Sequence, residues 1–219
     1  DHGLHLYGPQ RNDIGVEASS GLSPYLHFGQ VSPLRVALAV SKSDAPDDCV
    51  DAFLEQLIVR RELAINYCLY NPNYDNLSAA ADWAVRTLRE HASDPREEVY
   101  SLEELDSAST HDDLWNAAQR ELVKSGRIQS YMRMVWAKNI LGWSESAEEA
   151  LARAIHLNDK YGLDGRDANG YANIAWCMFG KHDRPFARRP VFGKIRYMSS
   201  AATKRKTHWQ QYLDRVSKL

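Results

Sequence analysis

The sequence predicts an all-α protein, and three observations carry that expectation. Apolar residues recur at helical spacing, as at Phe53, Leu57, Val59, Leu63, Ala64 and Tyr67, with charges on the opposite side. Helix-start signals recur along the chain, in Ser-Pro pairs and a capping box. No segment sustains the two-residue alternation of a half-buried strand.

The elements follow in order. Asp1 to Ser20 is rich in Gly, Pro, Asn and Ser and predicts mostly irregular chain. Ser23-Pro24 and Ser32-Pro33 each read as an N-cap followed by Pro at the first helical position. Cys49 to Tyr70 predicts one amphipathic helix, and the turn-rich Asn71 to Asn76 ends it. Leu77 to His91 is helical in pattern, and Ser101-Leu-Glu-Glu104 is a capping box opening a short helix. Asp112 to Lys124 and Ile128 to Trp143 predict two helices broken at Ser125-Gly126. Ser146 caps a last clear helix ending near Leu157, with Glu148 and Glu149 favourable in its first turn. There is no internal repeat.

Size and charge narrow the class. At 219 residues and 44% hydrophobic, the chain buries a substantial core as one domain or two closely packed helical lobes. A net charge of −2 argues against coating nucleic acid by bulk charge, yet basic residues gather between Arg184 and Lys206, which leaves room for a local basic face. Three widely spaced cysteines without a Cys-x-x-Cys pair argue against a disulfide frame or a zinc site and predict a reducing, cytoplasmic or nuclear setting. No apolar run approaches the roughly 20 residues of a membrane span. The chain opens at Asp1 without Met, so it reads as the end of a longer polypeptide.

Aromatics and a few polar residues mark candidate chemistry. Trp136 and Trp143 lie seven residues apart, two turns along one helix face, and Trp115 sits in an earlier helix free to pack beside them. Taken singly, each Trp reads as core filling. Ser19, Ser20, Gly21 and Ser23 precede a helix start, where N–H groups and hydroxyls suit a phosphate, or ordinary capping. Arg133 lies between Met132 and Met134 in an apolar helix and requires a partner, for which Asp164 is the best candidate. Asn158 reads as a helix C-cap before Asp159-Lys160. No metal-ligand cluster or nucleophile elbow is evident.

Four blocks in order give these residues a common sense: Ser19-Ser-Gly-Leu-Ser-Pro-Tyr-Leu-His-Phe-Gly29; Phe53-Leu-Glu-Gln-Leu-Ile-Val-Arg-Arg-Glu-Leu63; Tyr131-Met-Arg-Met-Val-Trp-Ala-Lys138; and Leu157 through Tyr171 continuing to Val191-Phe-Gly-Lys-Ile-Arg-Tyr-Met198. Together they resemble the class II cyclobutane pyrimidine dimer photolyases. The resemblance covers nearly the whole chain and implies the helical flavin domain, residues 1–219, with the family's N-terminal α/β domain and any antenna pigment lying outside it.

The resemblance implies FAD, active as the fully reduced anion. It assigns Ser19, Ser20, Gly21, Leu22 and Ser23 to the pyrophosphate with Tyr7 a further contact, and adds Arg61 and Asp167 to the cofactor set. It places Arg133 and Asp164 beside the isoalloxazine edge and Asn158 against its redox-active nitrogen, and it pairs Arg11 with Asp183 near the same cofactor. Electrons reach the resting oxidised flavin from an exposed Trp143 through Trp115 and then Trp136, the one nearest the flavin. The substrate implied is DNA holding a pyrimidine dimer, flipped against Trp176, Met134 and Tyr131. Arg196 and Phe186 fill the gap left in the duplex, and Lys194, Lys204, Arg205 and Lys206 hold phosphates. Gln56 stands where these enzymes carry a glutamate that bonds the lesion, Phe186 replaces a tryptophan, and Ser199 to Thr203 departs from the family's turn. Two other readings stay open, a cryptochrome-like photoreceptor without repair and a helical binding domain that has lost its flavin. Without its partner domain the chain is also expected to expose an apolar patch.

Overall fold

The computed structural model describes residues 2–219. They form thirteen α-helices, one 3-10 turn and one π turn, and among the described residues the only β pairing is a single bridge between Arg189 and Gly193. The all-α expectation holds. No described helix is long and apolar enough to cross a membrane.

Two cores organise the chain. The smaller gathers α1 (His2–Gln10), α2 (Ser23–His27), α3 (Pro33–Ser41) and α4 (Asp47–Leu54) around Val40, Phe53 and Leu57, with Leu4, Tyr7, Leu22 and Leu26 packed against them. The presence of α1 corrects the irregular reading for residues 2–10, while residues 11–20 are turns and irregular chain as expected; Asp1 itself lies outside the described residues. Pro9 removes the N–H that would bond the carbonyl of His5, and the Cys49 thiol donates to that carbonyl instead at 3.3 Å. Gly8 permits the approach, since a Cβ there would meet Cys49 Sγ at 3.2 Å. Tertiary packing thus overrides weak local propensity.

Ser32 caps α3 as expected, accepting from the Arg35 N–H. Ser23 does not cap α2: Leu22 is the N-cap, Pro24 takes the second position, and the Ser23 hydroxyl is drawn to Asp164. The helix expected over Cys49 to Tyr70 is interrupted by a π turn, Glu55–Arg60, between α4 and α5 (Arg61–Tyr70). The wider turn shifts the phase of the buried face. Phe53, Leu57, Ala64 and Tyr67 are buried, whereas Val59 and Leu63, expected on that face, are 44% and 38% exposed. Phe28, just after α2, and Leu34 and Leu38 on α3 are exposed as well, so this lobe presents much apolar surface.

The larger core takes in α6 (Asp82–Glu90), α7 (Leu102–Asp106), α8 (Asp113–Ser125), α9 (Ser130–Trp143), α10 (Ala147–Tyr161), α11 (Ala168–Phe179) and α13 (Trp209–Ser217), with α12 (Ser200–Lys206) before the last. Asn76 accepts from the Ser78 N–H and spends Leu77–Ala79 on a 3-10 turn, so α6 starts only at Asp82. The Ser101 capping box forms, Asp112 caps α8 through the N–H groups of Leu114 and Trp115, and Gly126 ends α8 at φ 67°. Ser146 caps α10, which runs past Leu157 to Tyr161.

Candidate functional site

α9 is the axis of the site, because it turns a different functional side chain toward each neighbour. Toward α8 it presents Trp136, whose ring stacks parallel to Trp115, centroids 6.2 Å apart at 5°. Trp115 in turn meets Trp143 edge to face at 5.6 Å. The three rings therefore run in the expected order, Trp136, Trp115, Trp143, with Trp115 bridging two residues of one helix. Each inner indole has an acceptor: Trp136 Nε1 donates to the buried Gln119 Oε1, and Trp115 Nε1 to the Trp136 carbonyl, both at 3.0 Å. Gln119 was not singled out from sequence, although it lies one turn beyond Trp115 on the same face. The outer end differs from expectation. Trp143 is only half-exposed, because Tyr100 and His111 pack edge-on at 5.4 and 5.3 Å and are joined to each other by a 2.7 Å hydrogen bond.

Toward the Asp164 to Asp167 loop, α9 presents Arg133. Its two terminal nitrogens donate to the two oxygens of Asp164 at 3.2 and 3.1 Å, a bidentate pair and the partner expected. Burial would push the Asp164 carboxyl up, but Arg133, aided by Ser23, outweighs it and holds the group below the usual carboxylate range. Arg133 Nε is buried with no partner among the described residues. Asn158 is buried inside α10, three residues before its end, so it is not a C-cap; its amide donates to Asp159 Oδ1 at 3.1 Å. Gly170 on α11 brings backbone against that amide, since a Cβ there would sit 3.1 Å from Asn158 Nδ2.

The small lobe meets these residues across a seam. Ser19, Ser20 and Ser23 are exposed, and Gly21 is left-handed at φ 63° with Arg127 Nη1 only 3.1 Å from where its Cβ would lie. Arg127 thus adds a cation to the expected phosphate segment, a proximity that no sequence spacing signals. The five-residue α2 supplies little dipole, so hydroxyls, open N–H groups and Arg127 carry any anion binding here. Tyr7 packs edge-on to Phe53 at 5.1 Å, Arg11 lies over the Tyr7 ring, and the Arg11 carbonyl accepts from Gln129 across the seam at 2.7 Å. Asp167 caps α11 and meets His27 of α2 at 3.1 Å, another crossing contact. Arg61 and Gln56 are half-buried at the π turn, and Arg61 makes no ion pair among the described residues.

A third cluster lies where α11 meets the 180–198 segment. The expected Arg11–Asp183 bridge is not made. Asp183 instead accepts from Arg196 at 2.8 and 3.1 Å, because Arg196 folds back in the same segment while Arg11 is committed to Tyr7. Arg196 lies 4.2 Å over Phe186 and 5.5 Å from Trp176, so the residues expected to face the lesion do converge. Met134 adjoins through its carbonyl, which accepts from Cys177, and half-buried Tyr131 is one turn earlier on α9. The Lys194 carbonyl accepts from Phe186 N–H at 2.9 Å, pinning the two edges of the loop. On α12, Arg205 and Lys206 are exposed, while Lys204 rests over Trp209. No group of three or more His, Cys, Asp or Glu suited to a metal occurs among the described residues.

No family model matches the chain. It is 53% identical over 218 residues to the deoxyribodipyrimidine photo-lyase of Oryza sativa subsp. japonica, covering 99% of this chain and 43% of that protein. The enzyme of the same name from Methanothermobacter thermautotrophicus is 51% identical over 213 residues, covering 97% of the chain and 47% of the relative. Over nearly its whole length the chain is a homologue of these photolyases. It spans somewhat less than half the length of these relatives and corresponds to their C-terminal part. The fold agrees: a bacterial class III photolyase from Agrobacterium tumefaciens superposes with a TM-score of 0.77 at 19% identity, covering 99% of this chain and 42% of that one. The Synechocystis sp. PCC6803 cryptochrome gives 0.60 at 15% identity, covering 99% and 52%. At those identities the structures speak for the photolyase and cryptochrome helical fold, while the photolyase assignment rests on the sequence relatives.

Proposed function

We propose that this chain is the flavin-bearing half of a class II enzyme that repairs cyclobutane pyrimidine dimers in DNA with light. The observation carrying this reading is the unbroken run of touching rings Trp136, Trp115, Trp143, beginning on the same helix as Arg133 of the Arg133–Asp164 pair. The residues fit FAD on independent grounds: the orphaned Arg133 Nε, the unpaired Arg61 and the glycine-permitted approach of α11 to Asn158 leave donors for an anionic, nitrogen-rich ring. When bound, FAD in its reduced anionic form supplies the photoexcited electron donor that opens the cyclobutane ring.

The chain's own work is binding, orientation and supply of electrons. Ser19, Ser20, Gly21, Leu22 and Ser23, with Tyr7 and Arg127, hold the pyrophosphate. Arg133 and Asp164 present a fixed dipole at the ring edge, and Asn158 offers either its oxygen or its N–H to the ring nitrogen. Arg11, Asp167 and Asp183 frame the pocket through Tyr7, His27 and Arg196 rather than as one bridge. Trp136 passes an electron inward and is refilled from Trp115 and Trp143, where a solution thiol restores the last ring. Trp176 offers a stacking face worth roughly 1–3 kcal/mol per base. Arg196 and Phe186 occupy the vacated duplex position, and Lys194, Arg205 and Lys206 meet phosphates. Gln56 reaches the lesion as an amide and cannot lend it a proton.

The test is photoreduction of the FAD-loaded chain under blue light with excess thiol, together with binding to a dimer-containing oligonucleotide and its undamaged twin. The reading expects a reduced flavin spectrum and preference for the damaged strand. A bound flavin that stays oxidised in light would contradict it.

A further inference from the structure

Lys138 is a fully buried lysine for which repair chemistry gives no use. Its ammonium donates to the Cys177 carbonyl at 2.6 Å and lies 4.9 Å from the centroid of the Trp176 ring. Arg196, fixed by its two bonds to Asp183, lies 5.5 Å from the same ring. Trp176 is therefore flanked by two held cations. None of the three stacked tryptophans has a cation over its ring among the described residues, and the two inner ones donate instead to neutral oxygens, which favour an electron-deficient indole. A cation beside an indole opposes loss of an electron from it, and more so where water is excluded.

We propose that Lys138 and Arg196 make Trp176 hard to oxidise, so that an electron withdrawn at the seam comes from Trp136 and not from the tryptophan that faces the lesion. This rests on the reading of the stack as the supply route. One electron leaves Trp136 for a photoexcited oxidised flavin, the vacancy moves through Trp115 to Trp143, and a thiol fills it. Lys138 is a positioning residue in this account, setting the electrostatics of Trp176 without touching substrate. Burial brings its ammonium down to about 8, so the device weakens in mild alkali. The other groups facing it keep their charge state there: the buried Cys177 thiol is pushed up to about 11, Asp183 is held low against burial by Arg196, and Arg196 stays charged.

The experiment needs no flavin. The chain is exposed to photogenerated azide radicals, a one-electron oxidant, and oxidation at Trp176 is read by peptide mass spectrometry. Lys138→Met should raise it at least about threefold at pH 7, Arg196→Gln should raise it similarly, and Lys138→Arg should leave it near wild type. The excess in Lys138→Met should vanish above pH 9, as wild type itself becomes oxidisable. Equal oxidation of Trp176 in wild type and both charge-removing variants would overturn the proposal, and so would an excess that is insensitive to pH. A loaded chain that binds flavin but never photoreduces would contradict the supply-route reading while the radical experiment still decides the role of Lys138.

Discussion

The Trp115 and Trp136 rings lie parallel with their centroids 6.2 Å apart, and the N–H of the first is tied to the carbonyl of the second. The contact fixes both rings and gives the buried Trp115 an acceptor, so stacking and hydrogen bonding enforce one geometry. Trp115→Phe puts a smaller ring, harder to oxidise, between Trp136 and Trp143 and removes that N–H. Photoreduction of the loaded chain should fall by at least about tenfold, while the lost volume costs the fold on the order of 1–3 kcal/mol by urea titration.

Gln119 receives the Trp136 N–H at a fully buried position. Gln119→Leu leaves that donor orphaned and should destabilise by about 1–3 kcal/mol, whereas Gln119→Glu keeps an acceptor. Chemical denaturation of the two variants checks the order.

The Arg133–Asp164 pair makes stability acid-sensitive in a defined direction. The folded Asp164 carboxyl sits below its unfolded value, so its contribution is complete above the ordinary carboxylate range and is lost as pH falls through the lowered folded value. Asp164→Asn strands a half-buried guanidinium and should cost roughly 3–5 kcal/mol at pH 7. The difference from wild type should shrink toward pH 3, a trend readable from unfolding midpoints across pH.

Lys138 has the opposite sign. Its folded value near 8 is below the ordinary 10.5, so burying the ammonium costs stability at neutral pH and the cost is relieved as pH rises from about 8 toward 10.5. Lys138→Met should therefore be more stable than wild type at pH 7, by up to ~3 kcal/mol from the shift alone, with the gap closing in alkali. Thermal midpoints at pH 7 and 9.5 measure it.

What the residues disclosed and what they hid divides along physical lines. Caps are local, so Ser32, Ser101 and Ser146 announced their helices correctly. The first helix was hidden because the carbonyl freed by Pro9 is rescued by Cys49, forty residues on. The π turn at Gln56 left no mark, since one extra residue per turn needs no special composition, and it moved Val59 and Leu63 to the surface. In the site, Arg133 demanded a carboxylate and Asp164 supplied it. The Arg11–Asp183 pairing came from the family resemblance alone, and the folded chain gives Asp183 to Arg196 while Arg11 is engaged by Tyr7. Arg127, Gln119 and Lys138 escaped notice because each acts through a neighbour in space.

The measurement that bears most directly on the whole account is blue-light loss of cyclobutane dimers from a short oligonucleotide, with the FAD-loaded, chemically reduced chain and a dark control. Dimer loss in light alone is the predicted result. Intact dimers under light, with reduced flavin bound and the damaged strand held, would contradict it.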